Sequence, residues 1–154
     1  MTALSIIADN LRRSFEGDAW HGPAVMEILK DVTARQAAAR PIADAHSVWE
    51  LVLHVTTWQS IVTRRLKGEA CVPSPAENFP KVRDKSAAAW KRTLASLRRR
   101  HDELAAAVAA LAESRLPEIV PGENYTVEFM LHGVIQHDLY HAGQMALLKK
   151  ALSA

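Results

Sequence analysis

A chain of 154 residues, 49% apolar and 23% charged, fits one globular domain spanning 1–154 with enough length to bury a core. A formal charge of +2 gives no reason to expect a nucleic-acid partner, and a single cysteine, Cys71, excludes an internal disulfide framework. There is no run of about 18 apolar residues, and the N-terminal MTALSIIADNLRRSFEG lacks a basic region followed by an apolar stretch, so a soluble cytoplasmic protein with no membrane partner is expected.

The first predicted helix runs from Ala3 to Phe15, with Leu4, Ile7, Leu11 and Phe15 at helical spacing and Gly17 as its stop. DAWHGP (18–23) reads as a turn, Ala24 to Asp31 as a short helix, and the Ala-rich TARQAAARP runs out at Pro41. The second long helix has the clearest start. Ser47-Val48-Trp49-Glu50 matches a capping box, in which the serine hydroxyl accepts a free backbone N–H and Glu50 reaches back to the cap. Val48, Leu51, Val52, Val55, Trp58, Ile61 and Val62 form its apolar stripe, and Gly68 supplies the stop.

Residues 69–83 contain Pro73, Pro75 and Pro80 and read as a long loop. Extended at about 3.3 Å per residue, such a loop reaches the length of a helix, which permits a crossover and a third helix parallel to the second. That third helix is expected over Lys85–Ala112. Within it Arg98-Arg99-Arg100, lacking interleaved aromatics, reads as a solvated face. The fourth is expected over Thr126–Leu152. Four long amphipathic helices predict an all-α four-helix bundle with the crossover between helices 2 and 3.

The fourth helix carries HGVIQHDLYHAGQ (132–144), three of the chain's seven histidines. Each helical residue advances about 100°, so His137 and His141 lie roughly 40° apart, one turn above each other, while His132 lies about 140–180° away. Met130, Val134, Met145 and Leu148 share the face of the pair, which therefore looks inward. Two inward imidazoles at this spacing are either core histidines satisfied by neighbouring acceptors or a chelating pair for one metal ion. His54, between Leu51, Val55 and Trp58 in the stripe of the second helix, is a third core-facing histidine. A three-histidine site with an open position would suit catalysis better than a purely structural role.

The other histidines are weaker candidates: His46 precedes the helix cap, His21 sits in a turn, and His101 follows the arginine run, where exposure is expected. Asp138, about 100° round from His137, is expected to point away, leaving the site without an evident general base. Gln144 and Tyr140 are candidate partners of a ligand or substrate, Gly143 is expected to permit close helix approach, and Trp49 and Trp58 are expected in the core. Cys71, in the proline-rich loop, has no activating neighbour in the sequence.

HSVWELVLHVTTW (46–58) followed by HGVIQHDLYHAGQMALL (132–148) resembles the DinB/YfiT-like superfamily of small metal-binding four-helix bundles. The first segment is similar to that superfamily's S-x-W-E-L-x-x-H signature on its second helix, the second to its H-x-x-Y-H-x-G-Q signature on the fourth. LRRSFEGDAWHGPAVMEILKDVTARQAAARP is similar to one branch of it. The resemblance implies that His54, His137 and His141 ligate one divalent metal ion, nickel or zinc, and that two copies form a homodimer. It also implies a small-molecule substrate and thiol-dependent S-transfer, with a low-molecular-weight thiol such as bacillithiol or mycothiol conjugating electrophiles in detoxification or stress response. Metal-dependent hydrolysis and a non-catalytic metal- or ligand-binding role are the alternatives. Ala142 stands where relatives often carry Arg, so whatever that Arg contacts is not implied here.

Overall fold

Hydroxyl side chains start most of the helices. Thr2 caps α1 (Ala3–Glu16), Thr33 caps α3 (Ala34–Ala38), Ser47 caps α4 (Val48–Leu66), and Ser74 caps α5 (Pro75–Asn78). Ser86 does the same for α6 (Ala87–Ala109) and Thr126 for α7 (Val127–Leu152). In each the side-chain oxygen accepts an N–H that the helix itself cannot satisfy. In α2 (Val25–Leu29) the Glu27 carboxylate instead accepts from the Ala24 N–H at 2.8 Å. The computed structural model describes residues 1–153, and among these there is no β-strand.

Two short elements fall where no regular structure was expected. The TARQAAA stretch forms α3, because Thr33 and Gln36 cap each other reciprocally. Likewise the proline-rich 69–83 segment holds α5, started by Ser74 and by Pro75, whose fixed φ suits a first helical position. Gly68, at φ 92°, ends α4 in a conformation that strains other residues.

The long helices meet along their lengths. Trp49 Nε1 donates to Thr93 Oγ1 at 3.0 Å and its ring tilts against Trp90, while Ser60 and Arg64 face Ser96 and Arg100 further along. Residue numbers thus rise together in α4 and α6. Between α4 and α7 they run oppositely, with Leu51 beside Leu148, Gln59 bonded to Asp138 and Val62 beside Met130. α1 packs on both α6 and α7.

Two apolar clusters fill the interior. One gathers Phe15, Trp49, Val52, Trp90, Leu97, Met145 and Leu148; the other gathers Ile7, Leu11, Val62, Leu104, Leu131 and Val134. Full burial of side chains this size is worth about 1.5–3 kcal/mol each. Between the clusters, on four helices, lie the buried polar residues Ser14, His54, Gln59, His101, Asp138 and His141. His101 corrects the expectation of exposure: it is 2% exposed and stacks on Phe15 with centroids 3.7 Å apart. It continues the buried row Trp90, Leu97, Leu104 and Val108, whereas Arg98 and Arg99 lie on the exposed side. No helix among the described residues is long and apolar enough to cross a membrane.

Candidate metal centre

The cap at Ser47 sets the phase of α4, and Glu50 closes it by accepting from the Ser47 N–H at 2.8 Å. Two turns on, His54 is directed at α7, where it meets His137 and His141. One nitrogen from each of the three rings falls within a cluster no wider than 4.8 Å.

Hydrogen bonding decides which nitrogens face inward. His54 Nδ1 lies 2.7 Å from the Asn78 carbonyl, which can only accept, so Nδ1 carries the proton and Nε2 the free lone pair. His141 Nδ1 is tied in the same way to Gln144 Oε1 at 2.6 Å. His137 Nδ1 faces the Asp138 carboxylate at 3.6 Å, and neither His137 Nδ1 nor Asp138 Oδ1 has another partner. His54 and His141 are thus held through Nδ1, His137 Nδ1 stands beside the Asp138 carboxylate without a hydrogen bond, and the Nε2 atoms of His54 and His137 stand 3.0 Å apart.

Burial favours the neutral form of His54 and His141. It pushes His54 down to about 4, a shift only partly opposed by the Asn78 carbonyl, and it also lowers His141. At pH 7 His54 and His141 are therefore in the neutral form that metal ligation requires. Tetrahedral zinc with Zn–N bonds of about 2.0–2.1 Å separates its nitrogen ligands by about 3.3 Å, close to the His54–His137 spacing. Three imidazoles suit zinc, nickel or a similar borderline ion, and carrying no charge they would leave it its full positive charge. The donor set fits such an ion.

The surroundings correct several sequence expectations. Asp138 does not point away: it is fully buried, and its Oδ2 accepts from Gln59 Nε2 at 2.8 Å. It occupies the inward row of α7 between Val134 and His141, a row that faces α4. Trp58 is a wall rather than core: half-buried, it donates to Asn78 Oδ1 at 2.9 Å and lines a cavity with His137. A Cβ on Gly143 would meet nothing within 4 Å, so that glycine does not serve close helix approach. Trp49 is buried as expected, and Ala142 lies in the core beside Met145, away from solvent.

Gln144 meets the site through His141. Tyr140 sits with its ring edge-on to His141 at 5.1 Å but is 67% exposed, at the rim. His132 and His21 are exposed and share a different surface hollow, and Cys71 lies beside Ile61 with its thiol 3.8 Å from that carbonyl. Neither His132, His21 nor Cys71 joins the cluster.

Sequence reasoning missed the contribution of the segment that follows α4. Phe79 stacks on His54 at 4.0 Å and on His46 at 4.0 Å, so one phenyl ring lies between two imidazoles. Asn78 and Phe79 together cover the outer side of His54.

A family model described as the DinB superfamily matches residues 19–145. The chain belongs to the DinB superfamily. The matched span includes α4 and most of α7, and so all three clustered histidines, consistent with metal binding of the DinB type. No curated protein and no solved structure matches the chain.

Proposed function

We propose that this DinB-superfamily protein holds one divalent ion, zinc or nickel, on His54, His137 and His141, and uses it in thiol-dependent S-transfer to small electrophiles. The observation that carries this reading is the common orientation of the three rings. One nitrogen of each ring comes within 4.8 Å of the others, Nδ1 of His54 and of His141 is held by Asn78 and Gln144, and His137 Nδ1 faces the Asp138 carboxylate. When bound, the ion would act as a Lewis acid and lower the pKa of a thiol ligand.

The chain's own part is to place and shield. Asn78 and Gln144 fix His54 and His141, Asp138 stands beside His137, Phe79 excludes water from His54, and the partly open edge of His137 leaves the approach for reactants. Asp138 is buried, bonded to Gln59 and adjacent to His137, so it is placed to orient a ring rather than to take a proton from a substrate. That favours a nucleophile brought by the co-substrate. In the transfer, the thiol sulfur forms the new S–C bond, the leaving group departs with its bonding pair, and the thiol proton passes to solvent.

The finer architecture belongs to the same proposal: a four-helix bundle of α1, α4, α6 and α7, with 67–86 as the crossover joining parallel α4 and α6. A homodimer is supported by Tyr140 and Leu147, both exposed, seven residues apart on one face of α7 with open Gly143 between them. A reducing cytoplasm, where Cys71 stays a free thiol, fits this chemistry.

The test is to load the protein with zinc or nickel and offer bacillithiol, mycothiol or glutathione with 1-chloro-2,4-dinitrobenzene. Metal-dependent release of chloride with formation of the thioether is expected with at least one thiol. No turnover with any thiol, together with metal-dependent ester cleavage, would replace transfer by hydrolysis.

A further inference from the structure

Between α4, the N-terminal half of α7 and the segment before it lies a cavity of about 230 Å³ that opens beside His137. Trp58, Tyr125 and Phe129 supply aromatic wall, and Val62, Met130 and Val134 supply the apolar floor. The one permanently charged side chain bordering it is Arg65, and its charge is already satisfied. Arg65 is 4% exposed; its Nε and one terminal nitrogen donate to the Cys71 carbonyl, another nitrogen donates to the Tyr125 hydroxyl, and the Glu123 carboxylate pairs with it. An anion entering here would have to displace Glu123, and a cation would meet a guanidinium. Either would lose its hydration without a partner.

Two further features keep the space free. Gly133 lines the cavity, and a Cβ built there meets nothing within 4 Å. Phe129 is 66% exposed at the mouth, a large apolar ring with little of its own chain to cover it. His137 borders the cavity, with 26% of its side chain exposed, whereas His54 and His141 are closed off at 6% and 7%.

We propose that this cavity receives an uncharged apolar group, of aromatic type, on the small molecule handled at the histidine centre. This rests on the metal-centre reading for what happens at His137, but not for binding of the group itself. The electrophile class it selects is thus a neutral aryl or arylalkyl compound, not a carboxylate, phosphate or amine.

The test uses 2-naphthylmethanol and its charged counterparts 2-naphthoate and 2-naphthylmethylamine as probes, titrated by calorimetry into full-length protein. Both metal-loaded and chelator-treated protein are titrated, because a carboxylate can bind a metal directly. In chelator-treated protein the alcohol is expected to bind about tenfold or more tighter than either ion. Gly133→Leu, which fills the cavity, should weaken the alcohol about tenfold while metal content stays unchanged, and Phe129→Ser, at an exposed position, should weaken it about threefold. Equal or tighter binding of naphthoate to chelator-treated protein would overturn the proposal. So would unaltered affinity in Phe129→Ser together with folded Gly133→Leu. Failure of the metal reading shows separately, as wild-type protein that takes up no metal yet still prefers the neutral probe.

Discussion

Acid should destabilise the metal-free protein in a window set by His54. Burial holds its imidazole neutral down to about pH 4 in the folded chain, against an ordinary value of 6.5. Above pH 6.5 the ring is neutral in both folded and unfolded chains, so its contribution to stability is complete. Below that the unfolded chain takes the proton first, and stability falls as pH drops from 6.5 to 4. At about 1.36 kcal/mol per pH unit the loss reaches about 3 kcal/mol over that window, and below it the slope vanishes. His54→Asn removes the titration while keeping an amide that can donate to the Asn78 carbonyl. Urea unfolding of chelator-treated wild type and His54→Asn, followed by circular dichroism at pH 7.5, 6.5, 5.5 and 4.5, measures the difference. The wild type should lose about 2–3 kcal/mol more than the variant across this range. Parallel stability curves would refute the claim that His54 is held neutral by burial.

Three other outcomes follow from particular contacts. Asp138→Asn removes the charge facing His137 Nδ1 and should lower metal affinity about 10–100-fold, read by chelator competition, with secondary structure unchanged. Gly143→Ala, on open helix surface, should raise stability by about 0.5–1 kcal/mol in thermal or urea unfolding and leave metal content alone. Ser47→Ala removes the acceptor for the Glu50 N–H and should cost about 1 kcal/mol, with some loss of metal affinity because α4 carries His54.

The positions of the long helices were legible because their signals are local. The Ser47–Glu50 box marks the start of α4 to the residue, and Gly68 marks its end. The pair His137–His141 was legible from its spacing together with the apolar Met130, Val134, Met145 and Leu148 on the same face. Asp138 and His101 were misread, although each continues an apolar row: Val134, Asp138, His141, Met145 in α7 and Leu97, His101, Leu104 in α6. Asp138 was placed by its angle from His137 alone and His101 by the arginines before it, rather than by the row each continues. Those two residues belong to a polar layer between two apolar clusters, and a buried polar residue there is held by partners on other helices, as Gln59 holds Asp138. What no periodicity could disclose is the part played by Asn78 and Phe79. They reach His54 only because the segment after α4 folds back over it, a long-range contact between loop and helix.

The central claim is that three Nε2 atoms share one ion, and metal stoichiometry tests it most directly. Protein prepared without a histidine tag, loaded with zinc or nickel and dialysed, should carry about one equivalent per chain. His54→Asn, His137→Asn and His141→Asn, each folded by circular dichroism, should retain less than about a tenth of it. Full occupancy in any two of these folded variants would contradict the three-histidine centre.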